Sequence, residues 1–431
     1  MWSLVSEGDH LLSCSEPSKR PRPRLAAIDP TYCSRGIKRL AKTVAFIAHG
    51  GGPTAVLNTS LLGVVQEGRR HFRRLWAACG GLPGLLKGQV TDLLAVPVSR
   101  IGRMVEQPGS MIGSYRGAIT DDHIARILAA FRRDGVRHFF YTGGNGSMGT
   151  ALRIARAAAA EGYVLTTIGI PKTVDNDICE TDHCPGFGSA ARFVATAVRE
   201  IGLDQRALPT PVSIIEVMGR NAGWLAAAAI LARQHKHDPP HLICVPEHPF
   251  KVGEFLEAVD RALQKLGWFV GVVAEGLRDP AGQMVSAAHG TNLDAKGRPL
   301  MGGVAAELAA LVSAKLRVRA RSEKPGILGR ALRLCRSSVD AQEAYETGRF
   351  AVQSAVSGAS ERMVALRRPQ GTKYHVGFEL VPLSKVSERE RVLPARYCPR
   401  QSAITSEFRR YVAPLIGDAL PSADYLDEGA C

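Results

Sequence analysis

Between Ile168 and Asp177 the chain reads IGIPKTVDND, which puts one cation, Lys172, and two carboxylates, Asp175 and Asp177, within six residues. A carboxylate beside a cation can take a proton from a hydroxyl while the cation neutralises charge developing on a transferred group. The apolar residues Val164, Leu165, Ile168 and Ile170 precede Pro171 and predict a buried strand over 163–170 that stops at this polar turn. In open α/β sheets such strand ends are where ligands bind. The same residue types also suit Asx-rich turns and helix caps, so the stretch alone leaves both readings open.

The surrounding elements must position that chemistry. Thr43–Ala48 (TVAFIA) reads as a strand, His49-Gly50-Gly51-Gly52-Pro53 as its turn, and 56–70 as a helix with Leu57, Leu61, Leu62 and Val65 on one side. The plan recurs with a strand over 136–141, the turn Gly143-Gly144-Asn145-Gly146-Ser147 and a helix over 148–160. Strand, glycine turn and helix together offer backbone N–H groups to a phosphate, although neither turn is a G-x-G-x-x-G or a Walker loop. Helices between three such strand ends predict a parallel, doubly wound sheet with its turns along one edge. A second array follows: a strand over 212–217 running into Met218-Gly219-Arg220, an apolar helix over 222–232, and strands over 241–245 and 269–274, the last ending at Glu275-Gly276. Residues 339–356 read as an amphipathic helix, and from Pro382 the chain is charged and Pro-broken, with no assignable elements.

The 431 residues suffice for two domains, and 22% charged with 45% hydrophobic residues is globular composition. The net charge of +15 suits anionic substrates or nucleic acid. Much of it sits in three clusters, Lys19 to Arg24, Arg69 to Arg74 and Lys315 to Arg321. Few aromatics are interleaved, so these read as solvated faces and nucleic acid is not expected as a partner. Nine cysteines without a C-x-x-C pair suggest neither a disulfide framework nor a zinc ribbon and fit a reducing cytoplasm. The longest apolar run, Ala222–Ala232, is about half of what a membrane span needs. The first residues lack the basic end and apolar core of a signal peptide, and 1–41, with SEPSKRPRPR, read as a flexible basic extension.

Taken in order, GGGPTAVLN (50–58), GSYR (113–116), GGNGS (143–147), PKTVDND (171–177), EVMGR (216–220), AEG (274–276) and ILGRALR (327–333) resemble the phosphofructokinases of the bacterial allosteric-type superfamily. The PKTVDND and EVMGR pair is the specific part. The resemblance implies an α/β fold of two Rossmann-like βα domains with the active site in the cleft between them. Residues 42–188 would hold the phosphoryl donor and 189–328 fructose 6-phosphate, while 329–431 would wrap back on the core. It makes Asp175 the base, helped by Lys172 and Arg116. Thr173, Asp175, Met218, Gly219, Arg220 and Glu275 would hold the sugar, and Arg333, with Arg330, its 6-phosphate. Gly51, Gly52, Gly144, Gly146 and Ser147 would cradle the donor, with Mg2+ at Asn145. A homodimer or homotetramer is implied.

Two positions disagree on the donor. Lys172 matches the pyrophosphate-dependent branch, where a lysine in this turn neutralises the transferred group. Gly146 stands where that branch usually carries a nucleotide-excluding aspartate, and so resembles the ATP type. Asn145 replaces the aspartate most members use at the magnesium. The first turn and Leu82, which offers adenine no aromatic platform, favour pyrophosphate. ATP use, or a weakened paralogue that only binds sugar phosphate, are the alternatives.

Overall fold

The computed structural model describes residues 42–421 apart from 209, 287–300, 370, 372–373 and 388. The expected extension over 1–41 lies outside the described residues. The chain opens with β1 (Thr43–His49), which sends Val44, Phe46 and Ala48 into one apolar cluster and Ala45 and Ile47 into another. Alternate side chains of a strand leave on opposite faces, so a strand apolar at every position must be covered on both. β2 (Phe72–Ala78), β3 (Val90–Asp92), β4 (Val136–Gly143) and β5 (Thr166–Pro171) follow. The second half supplies β6 (Val212–Val217), β7 (Leu242–Cys244), β8 (Phe269–Ala274) and β9 (Ala320–Glu323). β10 (Arg362–Arg367) and β11 (Gly377–Pro382) then return to the first sheet.

That sheet has seven strands in the order β11-β10-β5-β4-β1-β2-β3, parallel except for its two edge strands, and the second has four parallel strands in the order β7-β8-β6-β9. Because β5, β4 and β1 are neighbours, the three polar turns do lie along one edge. The order also reverses at β1, which pairs β2 on one side and β4 on the other. Such a reversal opens a crevice at the strands' carboxyl ends. In the second sheet Val217 lies opposite Ala274, so the turns carrying Arg220 and Glu275 start side by side.

Several elements depart from the sequence reading. β5 starts at Thr166 because Gly162 turns the chain at φ +65° and Val164 is 74% exposed. The helix expected from Met148 starts at Asn145 with Gly144 as its N-cap, so the glycine turn is its first turn. The run 222–232 divides into a helix, Trp224–Ala228, and a tighter 3-10 turn, Ala229–Ala232. β2 was unforeseen because exposed Arg73 and Arg74 interrupt the apolar pattern of buried Phe72, Leu75, Ala77 and Ala78. Among the described residues no helix is long and apolar enough to cross a membrane, and six cysteines are free.

The unassigned tail closes the second core. Tyr397, Phe408 and Tyr411 pack around buried Trp224 with ring centroids 5.8, 6.2 and 5.6 Å from it, and Arg391 lies 4.3 Å above the indole. Removing a fully buried aromatic side chain costs about 3–5 kcal/mol. Trp224→Ala should lower the unfolding free energy by about that amount in urea titration; a change under about 1 kcal/mol would show that the tail does not depend on this ring.

Candidate active site

The end of β5 reaches across β4 onto the turn that follows β1. Lys172 is only 3% exposed, and its ammonium donates to Gly50 O at 2.9 Å and Gly52 O at 2.8 Å. Beneath it Gly51 has φ +81°, and a Cβ there would stand 3.1 Å from Lys172 Nζ. Both conditions call for glycine. Burial, with Arg330 nearby, pushes the Lys172 ammonium down to about 8, against the pull of Asp175. The Gly50 and Gly51 amides donate to Thr142 O (2.8 Å) and Tyr115 O (2.9 Å). The expected cradle of amides is thereby narrowed: of these three, only Gly52 N–H has no acceptor among the described residues.

Asn176 fixes the two carboxylates. It adopts φ +54°, which asparagine tolerates better than most residues, and is itself fully buried. Its Nδ2 donates to Tyr411 Oη (3.0 Å), its Oδ1 accepts from Cys184 N–H (3.0 Å), and its carbonyl accepts from Arg391 Nη2 (2.8 Å). The turn is thus pinned from the side away from the cleft, which Asp175 and Asp177 line. Burial and then Glu275 push the Asp175 carboxyl up to about 6, opposed by Lys172 and Arg116. Burial and Asp175 push Asp177 up to about 7. Asp177 Oδ2 accepts from Asn145 Nδ2 at 2.9 Å, whereas Asp177 Oδ1 and Asn145 Oδ1 are buried oxygens with no donor. Two such oxygens on adjoining turns fit a hard cation, which oxygen ligands suit.

The second sheet supplies the opposite wall. Glu275 accepts from the Gly219 amide and has its carboxyl raised, chiefly by burial. Arg220 stands electrostatically beside it. Glu216, in the same motif, instead caps a helix, accepting from Gly303 N–H (2.8 Å) and Ala305 N–H (3.1 Å). Met218 both lines the cleft and packs on the core.

Together these walls enclose about 330 Å³. Of the residues singled out in the sequence for the site, all line it except Gly219, which touches it through Glu275, Arg333, and Leu82, which is buried in the core. Helical spacing would put Arg330 and Arg333 on one face. The helix Ile327–Ala331 is too short for that: Leu332 is extended, and Arg333 leaves for the surface, where it pairs with Glu106 at 3.2 Å. Sequence reasoning missed Glu390 and Asn221, which meet in the cleft with Asn221 Nδ2 donating to Glu390 Oε2 at 2.8 Å. Glu390 also raises both Asp175 and Asp177. No local signal marks it, because the tail is placed by contacts with Trp224 and Asn176.

A sequence profile of the phosphofructokinase family matches residues 44–355, and the chain belongs to that family. A pyrophosphate–fructose 6-phosphate 1-phosphotransferase of Xanthomonas campestris is 39% identical over 87% of this chain and 92% of its own. An ATP-dependent 6-phosphofructokinase of Amycolatopsis methanolica is 30% identical over 88% of this chain and 83% of its own. The crystal structure of a pyrophosphate-dependent phosphofructokinase from Marinobacter aquaeolei superposes with a TM-score of 0.79 at 35% identity, covering 90% of this chain and 94% of that one.

The two raised and lowered groups set a pH window. A base works deprotonated and a phosphate-binding ammonium works protonated, so kcat/KM should rise through about pH 6 with Asp175 and fall above about pH 8 with Lys172. Because Glu275 helps to raise Asp175, Glu275→Gln should move the acid limb to lower pH. A pH–rate profile with that limb unmoved would separate Glu275 from the titrating group.

Proposed function

We infer that the protein catalyses reversible phosphoryl transfer from pyrophosphate to the 1-hydroxyl of fructose 6-phosphate, giving fructose 1,6-bisphosphate and phosphate, in the cytoplasm and as a homodimer or homotetramer. The observation that carries the donor assignment is Lys172, whose ammonium lies buried on the first glycine turn. Asp175 takes the hydroxyl proton as O1 bonds to the transferred phosphorus and the bridging P–O bond breaks. Lys172 and Arg116 neutralise the charge spreading over the phosphoryl group and the departing phosphate, the larger part of catalysis in this reaction class. Thr173, Met218, Gly219, Arg220 and Glu275 hold the sugar so that O1 meets Asp175. Asn145 and Asp177 would hold Mg2+ through their unpartnered oxygens, and the ion would screen donor charge. Gly144, Gly146 and Ser147, at the start of a helix, complete the donor end, where amides and helix dipole favour anions.

Exposed Gly146 carries no carboxylate, which favours ATP as a second reading. A donor panel with fructose 6-phosphate and Mg2+ decides between them. Pyrophosphate should support turnover, and Lys172→Gly should lower kcat more with pyrophosphate than with any residual ATP activity. Gly146→Asp should suppress ATP use and spare pyrophosphate, which has no group where the nucleotide's α-phosphate would sit. Activity with ATP alone, unchanged by Lys172→Gly, would overturn the donor assignment.

A further inference from the structure

The strand end that carries the first glycine turn also holds a histidine that the reaction above does not use. His49, the last residue of β1, is fully buried, and its Nδ1 lies 2.8 Å from Ser110 Oγ. Ser110 donates its only hydroxyl hydrogen to Gly113 O at 2.7 Å, so Nδ1 carries the hydrogen of the His49–Ser110 bond. Burial and the Lys172 ammonium push the imidazole down to about 3, which keeps it neutral. With its one hydrogen on Nδ1, Nε2 is left as a buried lone pair that has no donor. The tautomer is thus fixed, and its single donor has one destination.

That destination is the segment leading to Arg116. Gly113 turns the chain at φ +69°, where a Cβ would stand 2.7 Å from Gly80 N, and the Ser110 hydroxyl closes the turn. Ser114 Oγ donates to Gly51 O at 2.6 Å, Tyr115 N–H donates to His49 O at 3.3 Å, and Tyr115 O accepts from Gly51 N–H at 2.9 Å. Arg116 comes next and lines the cleft. It is exposed, so its side chain takes its place from the backbone that carries it. Both cations assigned to the transferred phosphoryl group are in this way tied to the end of β1: Lys172 through Gly50 and Gly52, and Arg116 through His49, Gly51 and the turn at Gly113.

We propose that His49 is a positioning residue for phosphoryl transfer: its Nδ1–H, through Ser110 and the turn at Gly113, sets where Arg116 stands relative to Lys172. The assignment rests on the role given to Arg116 above. Two cations serve one phosphoryl group only while their spacing is kept, and a displacement of about 1 Å can cost about 100-fold in rate. A neutral imidazole suits this place because it supplies a directed donor beside a buried ammonium without adding a second charge.

The test compares His49→Gln, His49→Asn, Ser110→Ala and Arg116→Ala in the full chain, with whichever donor the wild type uses. An asparagine amide can stand where Nδ1 stands and a glutamine amide where Nε2 stands, so only His49→Asn keeps a donor for Ser110. His49→Gln and Ser110→Ala should each lower kcat about 10- to 100-fold, with the KM for fructose 6-phosphate within about twofold of the wild type. His49→Asn should retain most of the turnover that His49→Gln loses. Ser110 is half-buried, and its alanine variant carries the test if a change at His49 prevents folding. Residues that act through one another are not additive, so in the Arg116→Ala background Ser110→Ala should lower kcat by less than about twofold more. Wild-type turnover in both His49→Gln and Ser110→Ala overturns the proposal, as does equal loss in His49→Asn and His49→Gln, or a Ser110→Ala effect that persists in full without Arg116. Each of these leaves the role of Arg116 standing. If Arg116→Ala alone keeps the wild-type kcat, the role of Arg116 fails first and the proposal fails with it.

Discussion

The burial of the Lys172 ammonium on the carbonyls of Gly50 and Gly52 is the interaction on which the site depends. An unpaired buried charge is costly, and these two carbonyls offset only part of that, so the residue is held in a state that welcomes an anion. The same contact ties the end of β5 to the turn after β1, two strands away in the sheet. Burial, and after it Glu275, lifts the Asp175 carboxyl to about 6 against the opposing pull of Lys172, where proton transfer in both directions is accessible.

Holding like charges together requires a stiff frame, and the frame is distributed over distant parts of the chain. Asn176, in a left-handed conformation, is fixed by Tyr411 and Arg391 from the tail, and Arg391 in turn lies on Trp224. The aromatic cluster around Trp224 therefore stabilises the second core and orients the turn after β5 of the first sheet at once. Glu390, next to Arg391, enters the cleft as part of the same anchoring.

Much of this was legible in sequence because it is local. Strands apolar at every position announce burial on both faces, and polar turns at their ends announce the working edge. What was not legible depends on tertiary contact. β2 is masked by Arg73 and Arg74, which are exposed on a strand otherwise buried. Glu390 lies 169 residues from its partner Asn221, in a segment with no periodicity of its own. The separate fates of Arg330 and Arg333 turn on a helix ending at Ala331, a boundary that their spacing cannot reveal.

If the turn after β5 is the reacting centre, the proton acceptor within it is indispensable while the fold and the sugar site are not affected by its charge. The direct measurement is steady-state turnover of Asp175→Asn beside calorimetric binding of fructose 6-phosphate to the same variant. Turnover should fall about 10²- to 10⁴-fold, the usual contribution of a positioned base, with sugar-phosphate affinity retained. Turnover near that of the wild type would contradict the placement of the chemistry at this turn.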